Sequence, residues 1–108
     1  MLAGSFAVRD APERDRFEIE ADGAVVGFVQ YHRKPGTIAL VHTEIDPEHE
    51  GAGLGGVLVA AALDEARREG IRVLPFCPFV RSYIEHHPEY VDLVPEERRA
   101  DFGLARVA

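Results

Sequence analysis

Four glycines within six residues are the densest candidate binding feature of this 108-residue chain. They lie in residues 51–56, just before residues 57–69, whose apolar positions recur with helical spacing. Glycine costs up to about 1 kcal/mol relative to alanine where ordinary backbone geometry suffices, so the cluster indicates a backbone with special requirements. Because the first N–H groups of a helix are free to bind anions, the segment predicts a phosphate-binding loop. A turn that only starts the helix is the structural alternative.

Two common phosphate-binding motifs do not fit this loop. Gly51, Gly53 and Gly56 formally match GxGxxG, the dinucleotide-binding pattern. In that pattern a strand runs directly into the first glycine, whereas here the polar residues 46–50 intervene. The pattern also belongs to a parallel sheet, and this chain is too short for a second mononucleotide-binding half. No Gly-Lys-Ser/Thr follows, which excludes a P-loop.

His42 and Glu44 are candidates for acid–base chemistry on the strand before the loop. An imidazole can accept a proton near neutral pH, and Glu44 is an alternative base or a partner that orients His42. A structural histidine remains the other interpretation. Simple strand alternation predicts two sets of side chains on opposite faces: Leu40, His42 and Glu44 on one, Val41, Thr43 and Ile45 on the other.

Cys77 is the single cysteine of the chain. A lone cysteine is commonly a small buried hydrophobic residue. Pro78 suits the first position of a helix, which makes Cys77 its N-cap, where the helix dipole favours a thiolate. The sequence leaves three roles open for Cys77: a nucleophile, an acid for a leaving thiolate, and a structural residue.

The elements that position these residues change character at Asp46. Before it, residues 6–9, 16–20, 24–32 and 37–45 are predicted strands of an antiparallel meander, with a type I′ turn at Asp22-Gly23. After it we predict a helix over residues 57–69 and a central strand over residues 71–76. A second helix follows from Pro78 to Pro88, and a short one over residues 95–101. The fold class is therefore α+β, a mixed, mostly antiparallel sheet with one parallel crossover.

Composition narrows the function classes. Residues 1–108 are predicted to form a single domain. The net charge of −7 argues against a nucleic-acid partner, and no apolar stretch approaches the roughly 20 residues of a membrane span. One cysteine excludes multi-cysteine metal sites and favours a cytoplasmic location. The adjacent His86 and His87 point apart on a helix, so no metal site is predicted.

Four segments resemble a known family. HTEIDP at residues 42–47 and EGAGLG at residues 50–55 resemble motif A of the GNAT N-acetyltransferases. CPFV at residues 77–80 and YIEHHPEY at residues 83–90 resemble a compact, single-domain subfamily of predicted acetyltransferases. The resemblance covers about residues 16–94, and it implies a GNAT-like fold and acetyl-CoA as the donor of an acetyl group.

The resemblance also implies a binding mode. The loop binds the coenzyme A diphosphate through backbone amides, and pantetheine lies in a cleft between the strands that flank the long helix. Cys77 matches a cysteine proposed to lie beside the thioester, while Glu50 stands where the family usually has Gln or Arg. The implied cofactor-binding residues are Thr43, Glu44 and Ile45 along pantetheine, Glu50, Gly51, Ala52, Gly53, Leu54, Gly55 and Gly56 at the diphosphate, and Tyr83 near the sulfur.

The sequence therefore predicts an acetyl-CoA-dependent N-acetyltransferase, with acetyl transfer by direct attack of the amine or through Cys77. The acceptor is expected to be a small-molecule amine, a protein lysine or a protein N-terminus, and the acidic composition favours a cationic one. We expect no nucleic-acid or membrane partner, and a monomer or weak homodimer. The alternative is a module that binds coenzyme A or an acyl-CoA without catalysis.

Overall fold

The protein folds as a five-stranded sheet packed against two helices. A computed structural model describes residues 5–104. The strand order is β1-β2-β3-β4-β5, in which the first four strands form an antiparallel meander and β5 runs parallel to β4. The elements are β1 (Phe6–Ala11), β2 (Arg16–Ala21), β3 (Ala24–Lys34), β4 (Thr37–Ile45), α1 (Leu54–Glu69), β5 (Arg72–Pro75) and α2 (Pro78–His86). Short 3-10 turns follow α2, at Pro88–Leu93, Glu96–Arg98 and Ala100–Phe102.

The meander follows the sequence signals closely. Asp22 and Gly23 have φ values of 52° and 88°, as both central residues of a type I′ turn require, and they join β2 to β3. The predicted bounds of β4 are confirmed. Gly27 lets β3 and β4 approach, because a Cβ there would lie 2.8 Å from the backbone oxygen of Glu44.

One face of the sheet carries the core. The apolar side of α1 packs there, with Leu58, Val59 and Leu63 fully buried against side chains such as Ile19 and Val29. Burial of this kind contributes about 1.5–3 kcal/mol per large side chain. In the described chain, residues 5–104, no helix is long and apolar enough to cross a membrane.

β5 lies at the edge of the sheet, so its predicted central position is wrong. Its apolar character has another cause. Val73 is completely buried, and Phe102 from the C-terminal segment packs edge-on against Phe76, with ring centroids 5.3 Å apart. The tail thus packs against the residue that follows β5, a strand that lacks a further strand partner in the described residues.

The helix predicted over residues 95–101 is also wrong. This segment forms two 3-10 turns, in which Arg98 N–H donates to Pro95 O and Phe102 N–H donates to Arg99 O. A helix of seven residues is marginal by itself. The tight turns instead allow Phe102 and Leu104 to be buried.

A β-bulge changes the faces of β4. Gln30 pairs with His42, but the next residue, Tyr31, pairs with Leu40, so Val41 is the extra residue. The prediction that Leu40, His42 and Glu44 share one face of β4 is therefore wrong, because the bulge at Val41 reverses the alternation. Leu40 shares the core face with Thr43 and Ile45, whereas His42 and Glu44 lie on the open face, away from the helices.

Candidate active site

The glycine segment forms an uncapped helix N-terminus. α1 begins at Leu54, three residues earlier than predicted, and Gly53 is its N-cap with a φ of 79°. No side chain of the described residues caps this end. The first bond of the helix runs from Val57 N–H to Gly53 O, so the N–H groups that precede Val57 are available to an anion.

Two of the glycines serve helix packing. A Cβ on Gly55 would lie 2.8 Å from the Phe79 ring, and one on Gly56 would lie 3.4 Å from the Tyr83 ring. Both aromatic residues belong to α2, which therefore crosses close to the first turn of α1. By contrast, Gly51 and Gly53 have positive φ values and open space around them. Gly51 and Gly53 thus shape the turn, whereas Gly55 and Gly56 allow α2 to pack closely against α1.

A cavity of about 330 Å³ lies beside this helix end, and we call it the loop cavity. Apart from the exposed Ala52, every residue from Glu50 to Gly56 lines it. The ends of β4 and α2 close its other sides. The complete lining is Thr43, Ile45, His49, Glu50, Gly51, Gly53, Leu54, Gly55, Gly56 and Phe79.

The loop cavity adjoins the point where β4 and β5 separate. Their pairing runs from Thr37 opposite Arg72 to Leu40 opposite Pro75, and Cys77 N–H then donates to Leu40 O over 2.9 Å. Beyond that bond, β4 continues to Ile45 without a strand partner on this side among the described residues. Its edge therefore offers free backbone groups to an extended ligand.

Cys77 meets Thr43 at this point of separation. It is the N-cap of α2, as predicted, with Pro78 at the first helical position. The Cys77 side chain is buried, with 4% of its surface exposed, and its Sγ lies 3.3 Å from Thr43 Oγ1, a hydrogen bond in which either atom can donate. Thr43 lines the loop cavity, and Cys77 does not.

His42 and Glu44 form a second pair on the opposite face of β4. His42 Nε2 lies 3.6 Å from a carboxylate oxygen of Glu44, and the two side chains are 54% and 63% exposed. The Phe28 ring lies beside them, with its centroid 6.1 Å from that of His42. The bulge thus separates His42 and Glu44 from Cys77, although all three lie near the end of β4.

A second cavity, of about 630 Å³, occupies this open face, and we call it the sheet groove. It shares three residues with the loop cavity: Thr43, Ile45 and Glu50. The two cavities therefore meet at the free end of β4. The complete lining of the sheet groove is Arg16, Val25, Gly27, Phe28, Thr43, Glu44, Ile45, Asp46, Pro47 and Glu50.

Tyr83 lies outside both cavities. Its ring stacks on that of His87 at 4.0 Å and faces Gly56. Burial is the main cause that raises the pKa of Tyr83 above its ordinary value, so the hydroxyl stays protonated at neutral pH. Tyr83 therefore packs against α1 and lies next to Phe79, which does line the loop cavity.

Several lining residues were missed by the sequence analysis. His49 is one: its Nδ1 is buried without a hydrogen-bond partner in the described chain, and its ring lines the loop cavity. Arg16 and Phe28 are others, on strands far from the loop in sequence. His49 could have been predicted as a lining residue, because it directly precedes Glu50 of the candidate loop. Nothing in the sequence indicates that β2 and β3 contribute residues to the sheet groove.

Comparison with known proteins identifies the family. The family model for the GCN5-related N-acetyltransferases matches residues 16–93, most of the chain. The chain belongs to this family. An N-acetyltransferase domain is therefore present, and the α+β sheet with its single crossover is the GNAT fold.

Relatives and solved structures agree with this assignment. A stretch of 54 residues is 46% identical to mycothiol acetyltransferase from Segniliparus rotundus, covering 49% of this chain and 20% of that protein. A GCN5-like protein from Staphylococcus aureus has a TM-score of 0.63 at 21% identity, covering 82% of this chain and 87% of the other. The ribosomal-protein-S18-alanine N-acetyltransferase from Escherichia coli has a TM-score of 0.51 at 22% identity, covering 54% of this chain and 38% of the other. At these identities the two structures show a shared fold, and the chain spans only one fifth of the mycothiol enzyme.

Proposed function

We propose that this protein is an acetyl-CoA-dependent N-acetyltransferase that binds its donor in the loop cavity and its amine acceptor in the sheet groove. One observation carries the proposal. The two cavities share Thr43, Ile45 and Glu50 at the end of β4, where the strand has no partner on the β5 side. Two ligands bound there would meet end to end, as transfer between them requires.

The loop cavity suits the diphosphate of coenzyme A. The N–H groups of Leu54, Gly55 and Gly56 precede the first helical hydrogen bond, and the helix dipole adds partial positive charge. The buried, unpartnered Nδ1 of His49 is a further polar atom in the cavity wall that a ligand can satisfy after a ring rotation. Glu50 is unfavourable beside a diphosphate, so binding through the backbone must outweigh its charge.

The free edge of β4 suits the pantetheine arm. An extended chain that pairs with residues 41–45 would direct its thioester toward Thr43 and Cys77. The thioester supplies an activated acetyl group. In direct transfer, the amine nitrogen bonds to the acetyl carbon, the carbon–sulfur bond breaks, the amine loses a proton, and the departing thiolate gains one.

The side chains of β4 divide these proton transfers between two faces. Glu44 lines the sheet groove, and its partner His42 lies on the same face of β4 beside it, where the pair can accept the proton from the amine. Cys77, hydrogen-bonded to Thr43, lies on the other side of the strand. There it can protonate the coenzyme A thiolate or attack the thioester to form acetyl-cysteine, which the amine then cleaves. Both routes remain part of the proposal.

A cationic amine suits the groove electrostatically. Glu44, Asp46 and Glu50 line it and can attract an ammonium group. The groove is open to solvent on the exposed side of His42 and Glu44, so lysine side chains, protein N-termini and small amines can all enter.

A coenzyme A-binding module without catalysis is the second candidate. Two observations favour it: Glu50 lies in the loop cavity, and Cys77 is almost completely buried. The module would hold the same ligand without an acceptor and without modification of the thiol.

Intact mass and free-thiol assays separate the two candidates. After incubation with acetyl-CoA, the enzyme gives either a gain of about 42 Da on Cys77 or release of coenzyme A that depends on an added amine. Stabilisation by coenzyme A in a thermal-shift assay, with neither outcome across a panel of amines, would support the module instead.

A further inference from the structure

Glu18 is the buried charged residue beneath the sheet groove. Its side chain has no exposed surface, although it lies on the face of β2 that no helix covers. Three arginines enclose it, with nitrogens 3.1 Å (Arg9), 3.6 Å (Arg14) and 2.9 Å (Arg16) from its carboxylate oxygens. A buried carboxylate requires such partners, but a single positive charge would neutralise it. Arg9 also contacts Glu13 and Glu20, so the cluster holds as many carboxylates as guanidinium groups, but neither of these two carboxylates is paired with Arg16.

Arg16 differs from the other two arginines. Arg9 and Arg14 are more than half exposed, whereas the Arg16 side chain is 22% exposed and lines the sheet groove. Its Nε donates to Glu18 over 2.9 Å, and its guanidinium carbon lies 4.2 Å from the centre of the Phe28 ring. These contacts fix the plane of the group and leave both terminal nitrogens without a hydrogen-bond partner in residues 5–104. Two such nitrogens match the two oxygens of a carboxylate.

The groove is consequently bipolar. Arg16 is the one basic residue in its lining, and the acidic residues Glu44, Asp46 and Glu50 lie toward the end of β4. The guanidinium and the His42 ring lie 4.2 Å and 6.1 Å from the same Phe28 ring. The two groups are therefore at most about 10 Å apart, so a molecule of one or two residues, at about 3.5 Å per extended residue, can reach both.

We propose that the acceptor is a small zwitterion, a free amino acid or dipeptide, whose amine faces His42 and Glu44 and whose carboxylate binds Arg16. This inference rests on the proposed function, because the groove matters only if an acceptor binds there. Phe28 forms the floor between the two charged ends, and Glu18 holds Arg16 in position.

Matched acceptors test this inference. Ala-Ala and 6-aminohexanoate, each compared with its C-terminal amide, differ only in the carboxylate. We expect kcat/KM for acetyl transfer to be about tenfold or more higher for the acids, mainly through KM, because a bidentate pair is lost in the amides. Binding of 6-aminohexanoate and its amide to the coenzyme A-saturated protein, followed by NMR titration, should show the same preference.

Variants separate carboxylate binding from the structural role of Arg16. Arg16→Lys keeps a charge near Glu18 but loses the two-nitrogen fork, so it should fold and lose the preference for the acids. Arg16→Gln should also lose the preference for the acids. Arg9→Gln removes another partner of Glu18 that does not line the groove, and it should retain the preference.

Two outcomes would overturn the inference. Equal transfer to acids and amides would do so and would leave the proposed enzyme intact. If no amine in the panel is acetylated, the proposed function fails, and NMR titration then decides the inference separately: equal binding of the acid and the amide refutes it, and stronger binding of the acid, abolished by Arg16→Lys, supports it.

Discussion

The Thr43 hydroxyl lies 3.3 Å from the Cys77 sulfur, although the two residues are 34 positions apart in the chain. They meet just beyond Leu40 and Pro75, the last residues that pair β4 with β5. Thr43 lines the loop cavity, whereas the buried Cys77 does not. A thioester in that cavity would therefore contact Thr43, which is hydrogen-bonded to the sulfur.

We predict that Cys77→Ala lowers acetyl transfer about tenfold or more while coenzyme A binding changes little, because Cys77 does not line the cavity proposed for the donor. Steady-state assays with a thiol reagent and calorimetry with coenzyme A measure the two effects. Thr43→Val is the matched control, since it removes the hydroxyl partner and keeps the thiol. Equal turnover by the Cys77→Ala protein would make the cysteine a structural residue.

We predict that Glu50→Gln strengthens coenzyme A binding about fivefold. Two like charges some 4 Å apart in a solvated site repel by about 1 kcal/mol, and the substitution removes that repulsion. Calorimetry at low and high salt measures it, and the difference between the proteins should shrink as salt screens the charge. Glu48→Gln is the control, because Glu48 is exposed and lines neither cavity. Unchanged or weaker binding by Glu50→Gln would contradict an electrostatic penalty at this position.

Two glycine substitutions are expected to behave differently. Gly27→Ala should lower the free energy of unfolding by about 1–3 kcal/mol, because its Cβ would lie 2.8 Å from the Glu44 backbone oxygen, which cannot move without shifting the end of β4. Gly55→Ala should change it by less than about 1 kcal/mol. There the close atom is the free end of the half-exposed Phe79 ring, and alanine also favours the helix. Urea denaturation measures the free energy of unfolding of both variants. A larger loss in Gly55→Ala than in Gly27→Ala would contradict the prediction.

Stability should fall at alkaline pH partly through Tyr31. Its pKa is raised to about 12, first by burial and then by its hydrogen bond to Asp10, above an ordinary value of 10.0. The folded state thus favours the protonated phenol. This contribution is complete below pH 10 and is lost as the pH rises through about 12, with a magnitude on the order of 2 kcal/mol.

The test compares the wild-type protein with Tyr31→Phe between pH 9 and pH 12. The variant should lose less stability over this interval, as followed by urea midpoints. The pKa of Tyr90, whose hydroxyl donates to Asp64, is also raised to about 12. The Tyr90→Phe variant should therefore also lose less stability than the wild-type protein between pH 9 and pH 12. Parallel curves for the wild-type and Tyr31→Phe proteins would show that Tyr31 does not titrate differently on folding.

Local signals in the sequence predicted most of the architecture. Asp22-Gly23 forms the type I′ turn between β2 and β3, and Pro78 starts α2. Each of these signals acts over a few residues, and each was confirmed. The family resemblance on residues 16–94 was confirmed by the family model as well.

The errors involve contacts between distant segments. An apolar strand such as β5 has the same sequence pattern at the centre of a sheet as at an edge where Phe102 packs against the residue that follows the strand. The tail bends into 3-10 turns to bury Phe102, which local helical preference does not reveal. Likewise, Gly55 has a purpose only when α2 is seen against it. The contributions of Arg16 and Phe28 to the groove depend on sheet order, and the sequence does not encode that order locally.

The extra residue in β4 has a chemical consequence. Val41 shifts the strand by one position relative to β3, so neighbouring side chains from His42 onward alternate in the opposite phase to Leu40. If Val41 were an ordinary strand residue instead of the bulged one, strict alternation from Leu40 would place the His42 and Glu44 side chains in the apolar interior and turn the Thr43 hydroxyl to the open face. One bulged residue thus decides which of these reactive groups are exposed to water and which lie on the core side.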